Sequence, residues 1–345
     1  HETEVFGANL NATTQWKLGR TSMGVEFRNE GVKSNVLGKP MKEPQDVPFE
    51  KEGQYLKSDN RSNISYFLEH NVLLRRFTLS VGVLVNYNSA LNEGIHFYPG
   101  IDASYRIGDN FRLYGSWNRA LRMPTFTDLY YEGKTNKGNP DLKPEESEAF
   151  EVGLKYNTYF LRAHIAGFYR KGKNMIDWVK EKPEDIWESR NLTKVDNLGF
   201  ETNLSLLPRE LGNERFFIRK IELGYAFIHQ DKDSEGYISN YALDYLKHKF
   251  TAQLSHSIWK GFSATWYVRW QDRAGSYTKY ENLKPAYEEP YAPYCLVDMK
   301  VNWEYQRLNL YAELNNLLNS TYYDLGNIPQ PGIWFKAGFR YSFKY

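Results

Sequence analysis

The stretch IWFKAGFRYSFKY, residues 333–345, alternates strictly between apolar and polar side chains. One set of alternate positions is wholly apolar or aromatic, namely Ile333, Phe335, Ala337, Phe339, Tyr341, Phe343 and Tyr345. The other set contains Trp334, Lys336, Gly338, Arg340, Ser342 and Lys344. Because successive side chains of a β-strand point to opposite faces, this spacing predicts a strand with one face free of charge.

The same alternation recurs along nearly the whole chain. In residues 77–88 and 262–271 one face is again mainly apolar, whereas the other carries polar or charged side chains. A charge at mid-bilayer on a lipid-facing strand costs roughly 2–4 kcal/mol, which explains a face kept clear of charge; the polar face would line a lumen. We count about fifteen candidate strands of this kind, near residues 4–17, 20–30, 61–73, 77–88, 96–107, 111–119, 148–157, 160–171, 190–207, 216–229, 245–258, 262–272, 293–303, 307–317 and 333–345.

Composition limits the class of protein. The 345 residues carry a net charge of +2, so no bulk charge favours nucleic acid. Mean hydropathy is -0.66, and no apolar run reaches the roughly 18 residues that a membrane helix needs. Aromatic residues make up 16% of the chain, a content that suits the interfacial girdles of a membrane barrel. The single cysteine, Cys295, excludes a disulfide within the chain.

The connections between the predicted strands alternate in length. Tight joins occur at 17–19, 74–76, 108–110, 157–159, 259–261 and 304–306, and mostly longer polar stretches lie near 31–60, 120–147, 172–189, 230–244, 273–292 and 318–332. Short periplasmic turns and long external loops are typical of bacterial outer-membrane barrels. We therefore predict an all-β fold, a transmembrane antiparallel up-and-down barrel whose last strand descends to the periplasm. An odd number of strands cannot close such a barrel, so we expect further strands outside this chain.

No catalytic constellation is visible in the sequence. There is no H-E-x-x-H, no G-x-S-x-G and no phosphate loop, so we expect no enzyme, no cofactor and no metal site. His164, His248 and His256 fall within predicted strands, where a lumen or interface position is the ordinary interpretation. Cys295 falls on the apolar face of its strand and is expected to face lipid. A soluble propeller would show a sequence repeat of about 40–45 residues, and none is visible. A soluble sandwich would lack the alternation of short and long connections.

The most informative stretch is LRMPTFTDLYYEGKTNKGNPDLKPEESEAFEVGLKY, residues 121–156. Its prolines and glycines predict a turn-rich loop before Phe150 restarts the alternation. The stretch closely resembles TonB-dependent outer-membrane receptors, in which R-x-P at a strand end is followed by N-P-[DN]-L-x-P-E and then by an E-x-G strand. The matching residues are Arg122, Pro124, Asn139, Pro140, Asp141, Leu142, Pro144, Glu145, Glu151 and Gly153.

Three downstream segments extend the resemblance, which covers the chain from about residue 60 onward. Residues 175–178, MIDW, resemble the family's L-I-D-[WY], and residues 197–201, NLGFE, resemble its N-x-G-[VF]-E strand. Residues 314–323 resemble its N-L-F-D-x-x-Y element. The aromatic ending formed by Phe339, Tyr341, Phe343 and Tyr345 is similar to the C-terminal strand that barrel-assembly machinery recognises in this class. An ending selected for folding alone is the alternative.

The resemblance implies that residues 1–345 are the C-terminal portion of a barrel of about 22 strands closed around an N-terminal plug. In this family the plug carries a box that contacts the TonB complex, ligand binds to the external loops and the plug, and TonB-derived energy displaces the plug. The plug and about seven strands would then lie on an omitted segment or a separate polypeptide. The expected partners are the TonB complex, the plug with the remaining strands, outer-membrane lipid and a nutrient ligand, with a surface lipoprotein as a further option.

The motif order and the MIDW and NLGFE segments look most like cobalamin receptors, which implies a corrinoid ligand. Aromatic loop residues would suit such a ligand through stacking and hydroxyl hydrogen bonds. The candidates are Tyr130, Tyr131, Trp178, Trp187, Tyr277, Tyr280 and Tyr287, and girdle or loop packing is the alternative for each. Haem receptors commonly place a histidine between R-x-P and N-P-x-L, whereas residues 122–139 contain none. A ferric siderophore, supported by Arg170, Lys171 and Lys173, and a passive porin-like barrel are the remaining alternatives.

Overall fold

The computed structural model describes residues 1–345 with the exception of 92–93, 183, 213–214, 234–235, 240–244, 282–283, 327 and 344–345. Its described part contains fifteen long strands. They are β1 (Glu2–Trp16), β2 (Gly19–Ser34), β3 (Gln54–Leu73), β4 (Phe77–Asn88), β5 (Ile95–Ile107), β6 (Phe111–Arg122), β7 (Glu145–Asn157), β8 (Leu161–Lys180), β9 (Trp187–Leu206), β10 (Ile218–Asp233), β11 (Leu246–Trp259), β12 (Phe262–Arg273), β13 (Tyr294–Tyr305), β14 (Leu308–Asn315) and β15 (Trp334–Tyr341). Each coincides with one predicted segment, so the all-β prediction is confirmed.

Shorter elements lie between the long strands. They are the helix α1 (Phe126–Tyr130), a 3-10 turn at Pro208–Leu211, and the short strands Lys39–Asp46, Asn136–Lys137, Ile238–Ser239, Ser276–Glu281, Lys284–Pro290, Tyr323–Leu325 and Ile328–Pro329. In the part of the chain that the structure describes, no helix is both long and apolar enough to cross a membrane.

The fifteen long strands form one antiparallel sheet in chain order. Each strand pairs with the next, from β1 with β2 through to β14 with β15. This is the up-and-down connectivity that the alternating connections predict. Among the described residues, β1 pairs only with β2 and β15 only with β14, so the sheet is the wall of a barrel with two free edges.

The strand register places apolar and polar side chains on opposite faces of this wall. Val81 lies opposite Ile101, and Ile101 lies opposite Trp117, which makes one continuous apolar row across β4, β5 and β6. The alternate row contains Ser80 opposite Asp102. Because a one-residue slip would exchange the two faces, the register is fixed by this pattern. We call the apolar side the outward face and the polar side the inward face.

Four inward glycines lie directly opposite an aromatic residue of the neighbouring strand. The pairs are Gly24 with Phe67, Gly153 with Tyr114, Gly199 with Phe168 and Gly338 with Tyr311. A Cβ atom at Gly153 would lie 2.5 Å from ring atoms of Tyr114, and the other three positions are equally crowded by their rings. Covering a glycine in this way lets a large ring lie flat against the sheet. Each of these rings therefore requires glycine at the position opposite it.

Connections at one end of the sheet are short, and most of those at the other end are long. The short-turn end contains 17–18, 74–76, 108–110, 158–160, 260–261 and 306–307, together with the longer 207–217. The long-loop end contains 35–53, 89–94, 123–144, 181–186, 234–245, 274–293 and 316–333. All the predicted tight joins fall at the short-turn end, as the sidedness of the sequence indicates.

Three predicted loops are largely strand, and one of them, 273–292, contains the paired short strands Ser276–Glu281 and Lys284–Pro290. The sequence predicts a loop over 172–189, but β8 and β9 continue through most of it and stay paired with each other. Buried residues here include Trp178, Val179 and Leu192, with 9%, 1% and 3% exposure. Because strands covered on both faces lose the period-two pattern, the extension is not visible in the sequence. Likewise, the predicted loop over 31–60 contains the short strand Lys39–Asp46, which pairs with β3.

The strand histidines and the cysteine take the positions that the alternation predicts. His164 lies on the inward face beside Tyr114. His248 and His256 lie on the outward face near opposite ends of β11, and the Nε1 atom of Trp266 donates to the Nε2 atom of His256 at 3.1 Å. Cys295 lies opposite Trp270 on the outward face.

Candidate functional site

The connection 123–144 between β6 and β7 is held by hydrogen bonds within itself and to neighbouring strands. It begins with α1, whose N-terminus is fixed by a capping box: the Oγ1 atom of Thr125 accepts from the backbone N–H of Asp128 at 3.1 Å, and Thr125 N–H donates to Asp128 Oδ2 at 3.0 Å. Such reciprocal bonds satisfy backbone donors that a helix otherwise leaves unpaired. The sequence predicts only turns here, because one helical turn is too short to show a period.

The base of this loop is closed by two residues of the resemblance motif. The Nε and Nη2 atoms of Arg122 each donate to the carboxylate of Glu145 at 2.6 Å. Glu145 is 7% exposed, and its Oε1 atom also accepts the backbone N–H of Ile176 at 2.8 Å. The two strands that flank the loop, β6 and β7, are thereby fixed to each other and to β8.

The N-P-D-L segment of the motif is a turn held from both sides. The Oδ1 atom of Asn139 accepts from the backbone N–H of Asp141 at 2.9 Å, a local bond that stabilises a turn. Asn191 of β9 makes two hydrogen bonds to the backbone of Lys143, the residue after this segment. Its Oδ1 atom accepts from Lys143 N–H at 2.8 Å, and its Nδ2 atom donates to Lys143 O at 2.9 Å. Leu142, between them, is 7% exposed. Pro140 lies within this segment and Pro144 two residues after it, and their fixed backbone angles add to the rigidity of the turn.

Four of the seven aromatic candidates lie around this loop. The hydroxyl of Tyr130 donates to the Oδ2 atom of Asp59 at 2.6 Å. Burial of the side chain is the larger cause that raises the pKa of Tyr130, and this hydrogen bond raises it further. Tyr131 is 39% exposed and meets Trp178 edge-on, with ring centroids 6.4 Å apart. The ammonium of Lys180 lies 4.5 Å from the ring of Trp187. Of these rings, that of Trp178 is buried by other protein groups.

The other three aromatic candidates lie on the hairpin at 276–290. Tyr277 is 8% exposed and packs between Tyr291 and Tyr323, with ring centroids 5.2 Å away in each case. Tyr280 and Tyr287 are 54% and 49% exposed. The structure therefore divides the seven candidates into two groups on separate loops, and each group combines buried with exposed rings.

A groove of about 630 Å³ lies between the N-P-D-L segment and β9. Its lining residues are Lys137, Gly138, Asn139, Pro140, Asp141, Glu188, Arg190, Asn191, Leu192 and Tyr237. The guanidinium of Arg190 is fixed there, because its Nη2 atom donates to Glu188 at 2.8 Å and its carbon lies 4.9 Å from the ring centre of Tyr237. This volume is within the range of small-molecule sites. Sequence reasoning missed Arg190 and Tyr237, since neither belongs to a motif.

Two other motif glutamates, Glu151 and Glu201, are connected through Tyr114 and His164 on the inward face of the wall. Tyr114 donates its hydroxyl to Glu151 at 2.7 Å and lies 2.8 Å from the Nε2 atom of His164. The Nδ1 atom of His164 lies 3.7 Å from Glu201. The E-x-G and N-x-G-F-E segments therefore contribute to one polar network across β6, β7, β8 and β9. Their spacing in the sequence gives no sign of this contact.

The remaining sequence-predicted residues lie on strands. Arg170 points inward from β8, whereas Lys171 and Lys173 point outward, so the three do not form the single cationic surface proposed for a siderophore. Phe339 and Tyr341 lie on the outward face of β15 and are 75% and 48% exposed. Phe343 follows the strand, and Tyr345 lies outside the described residues.

This sheet, with its apolar outward face, polar inward face and one-sided long loops, defines a transmembrane β-barrel of the outer membrane. The particular family follows from comparison with known proteins. Residues 2–317 match the family described as TonB dependent receptor-like, beta-barrel. The chain belongs to that family, whose members are receptors of the Gram-negative outer membrane and not enzymes.

Several curated proteins are similar to the chain at low identity. The vitamin B12 transporter BtuB of Vibrio vulnificus (strain YJ016) is 26% identical over 225 residues, which cover 49% of this chain and 36% of that protein. The ferrienterobactin receptor of Escherichia coli (strain K12) is 22% identical over 297 residues, which cover 78% of this chain and 38% of that protein. The chain spans about a third of the length of these relatives.

Solved structures share the fold. A mutant of the ferric enterobactin receptor PfeA from Pseudomonas aeruginosa, in complex with enterobactin, superposes with a TM-score of 0.76 at 18% identity, covering 99% of this chain and 54% of that one. The siderophore receptor PirA from Acinetobacter baumannii superposes with a TM-score of 0.72 at 18% identity, covering 99% and 55%. These similarities establish the architecture of the barrel wall.

Proposed function

We propose that the protein containing this chain is an active-transport receptor that binds a scarce nutrient at its long-loop end and imports it with TonB-derived energy. The nutrient is cobalamin or another corrinoid. Membership of the family supports the transport role. Two of the similar proteins are named vitamin B12 transporters, which supports the choice of nutrient.

The observation that carries the corrinoid choice is the charge of the long-loop end. Its seven connections contain no arginine, and their carboxylates outnumber their lysines by nearly two to one. Connections of this composition favour a ligand without net negative charge over a polyanion. Arg122 and Arg190 lie on the adjoining strand ends, where Glu145 and Glu188 bind them. Tyr131, Tyr280 and Tyr287 add exposed rings that suit a large apolar ligand edged with amides.

A ferric siderophore or haem is the alternative ligand. The Escherichia coli relative is named a ferrienterobactin receptor, and the similar protein from Vibrio cholerae is named an iron-regulated outer membrane virulence protein. Against an anionic siderophore stand the acidic loops and the separation of Arg170 from Lys171 and Lys173 on opposite faces of β8. A passive porin-like barrel is disfavoured because the family is one of TonB-dependent receptors.

The proposed partners are those of an energised receptor. We propose that a plug and further strands complete the barrel between the free edges of β1 and β15, and that the plug contacts the TonB complex. A surface lipoprotein could dock on the long loops, and its consistent absence from the receptor purified from outer membranes would remove that idea.

The test compares whole cells with and without the intact protein. We expect cells that carry it to bind cyanocobalamin at nanomolar concentration, and we expect uptake to stop when TonB is removed. Labelled haem and a ferric catecholate siderophore are offered in parallel. Uptake of either of these without binding of cyanocobalamin would overturn the corrinoid choice, and uptake of all ligands without TonB would overturn active transport.

A further inference from the structure

The loop 123–144 is joined by Arg61 to β3, which lies three strands away from β6 in the sheet. The Nε and Nη2 atoms of Arg61 bind the Oε2 atom of Glu30 at 2.7 and 2.6 Å. Its third nitrogen, Nη1, donates to the backbone carbonyl of Pro124 at 2.6 Å. The guanidinium carbon lies 4.8 Å from the ring centre of Phe126. With only 12% of its side chain exposed, Arg61 is committed to these contacts.

The same strand makes a second contact with α1. Asp59 lies two residues before Arg61, on the same face of β3, and accepts the hydroxyl of Tyr130 at 2.6 Å. Both ends of the short helix are therefore fixed to one strand. Because α1 is a single turn and too short to be stable alone, these side-chain contacts determine where it lies.

The helix in turn holds the wall of the groove. Gly138 N–H donates to the carbonyl of Tyr131 at 2.6 Å, and Asn139 N–H donates to the carbonyl of Asp128 at 2.9 Å. A Cβ atom at Gly138 would lie 2.8 Å from backbone atoms of residues 129–131, so only glycine permits so close an approach. Backbone contacts thus connect α1 directly to the N-P-D-L segment.

We propose that Arg61 is a positioning residue that sets the geometry of the groove from the other end of the loop. It holds Pro124 and Phe126, these fix α1, and α1 fixes Gly138 and Asn139 in the groove wall. The role of the groove in ligand binding rests on the proposed function, but the positioning of the loop does not. Lys57 of β3 makes a further charged contact with the same loop, because its Nζ atom lies 3.8 Å from the Oε2 atom of Glu132, but the side chain of Glu132 is 74% exposed.

The experiment measures loop order and ligand affinity separately in the intact protein. A nitroxide is placed at the exposed position Lys134→Cys in a Cys295→Ser background, and cyanocobalamin is the ligand probe. We expect Arg61→Ala to increase the mobility of the label and to weaken cyanocobalamin binding by about tenfold, the effect of losing one charged hydrogen bond at a buried position. The folded fraction in outer membranes is expected to stay unchanged.

Arg28→Ala is the matched control. Arg28 binds the other oxygen of Glu30, at 2.9 Å from Oε1, but its side chain is 50% exposed. Within the part of the chain that the structure describes, Arg28 forms no ion pair with the loop. We expect the Arg28→Ala protein to show the same label mobility and the same affinity for cyanocobalamin as the parent protein. Arg61→Lys keeps the charge beside Glu30 but cannot also bind Pro124 and lie flat on Phe126. If loop order is lost in Arg61→Lys as well, the contacts with Pro124 and Phe126 position the loop, and the charge beside Glu30 alone does not.

Tyr130→Phe tests the proposal even if Arg61→Ala does not fold, since it removes one hydroxyl from a retained ring. We expect a smaller increase in mobility of the same label. Unchanged mobility in Arg61→Lys and Tyr130→Phe, or equal effects of Arg28→Ala and Arg61→Ala, would overturn the proposal. If the parent protein binds no cyanocobalamin, the proposed ligand is wrong, and the label still decides whether Arg61 positions the loop.

Discussion

At the scale of single residues, the inward face depends on glycines that make room for rings. Tyr114 lies flat only because Gly153 opposite it has no side chain, and this position lets its hydroxyl meet Glu151 and His164. The sequence marks Gly153 as part of an E-x-G motif, but the reason for glycine is a contact with another strand.

We predict that Gly153→Ala destabilises the protein by about 1–3 kcal/mol, as overpacking does. The new methyl group would start 2.5 Å from the ring of Tyr114 and displace it from its hydrogen bonds. The measurement is the free energy of unfolding of the detergent-solubilised protein in urea. Gly115→Ala is the control, because its Cβ would have a nearest neighbour at 3.4 Å. Equal losses in the two variants would contradict this account.

A second residue-scale prediction concerns the closure of the loop. Glu145→Gln weakens the bidentate pair with Arg122 and the bond from Ile176 N–H, at an expected cost of about 1 kcal/mol after discounting for the half-exposed Arg122. Hydrogen exchange of the Ile176 amide should therefore become several-fold faster. Glu146→Gln is the control, because Glu146 lies 3.5 Å from Arg119 at the surface. An unchanged exchange rate at Ile176 would show that Glu145 does not hold β8.

At the scale of elements, strands were easier to predict than loops. Alternation depends on one apolar and one polar face, and the fifteen long strands have it over the segments that the sequence predicts as strand. The outer parts of β8 and β9 are covered on both faces and lose it. The site residues on loops follow the same rule: the sequence selected aromatic types, but only folding decided that Trp178 and Tyr277 are buried while Tyr280 and Tyr287 are exposed.

The hairpin at 276–290 should lose order in acid. The Nζ atom of Lys279 lies 2.8 Å from Glu289 across the hairpin, and this hydrogen bond lowers the pKa of Glu289 from its usual 4.5. A carboxyl group with a lowered pKa in the folded state stabilises the fold above its usual pKa, and this contribution is lost as the pH falls through the lowered value. We expect amide exchange in residues 276–290, corrected for its intrinsic pH dependence, to accelerate below pH 4.5. The Glu289→Gln variant should show no such acceleration. Absence of the acceleration in the parent protein would contradict the prediction.

At the scale of the whole molecule, the two faces of the wall should tolerate charge unequally. Val81 faces outward from the middle of β4, and its neighbour Ser80 faces inward opposite Asp102. We predict that Val81→Arg costs about 2–4 kcal/mol in the bilayer and lowers the amount of folded protein in outer membranes. Ser80→Arg should fold normally, because the new guanidinium would lie opposite the carboxylate of Asp102 and pair with it. Heat-modifiable mobility on gels measures the folded fraction, and equal yields would show that the faces are assigned wrongly.

The sequence by itself determined the class of this protein. Period-two alternation, one-sided loops and the motif at residues 121–156 predicted a barrel wall of the TonB-dependent receptor family, because each of these signals lies within a short run of neighbouring residues. They did not predict which distant segments would meet.

Tertiary structure alone decided the candidate site. The contact of Arg61 with Pro124 and the groove between the N-P-D-L segment and Arg190 join residues far apart in the sequence, and the approach of Gly138 to α1 folds the loop 123–144 back on itself. Such contacts depend on strand order and on how each loop folds back over the wall. A pattern of local hydrophobicity carries no record of either, so the ligand-facing geometry became visible only in the folded chain.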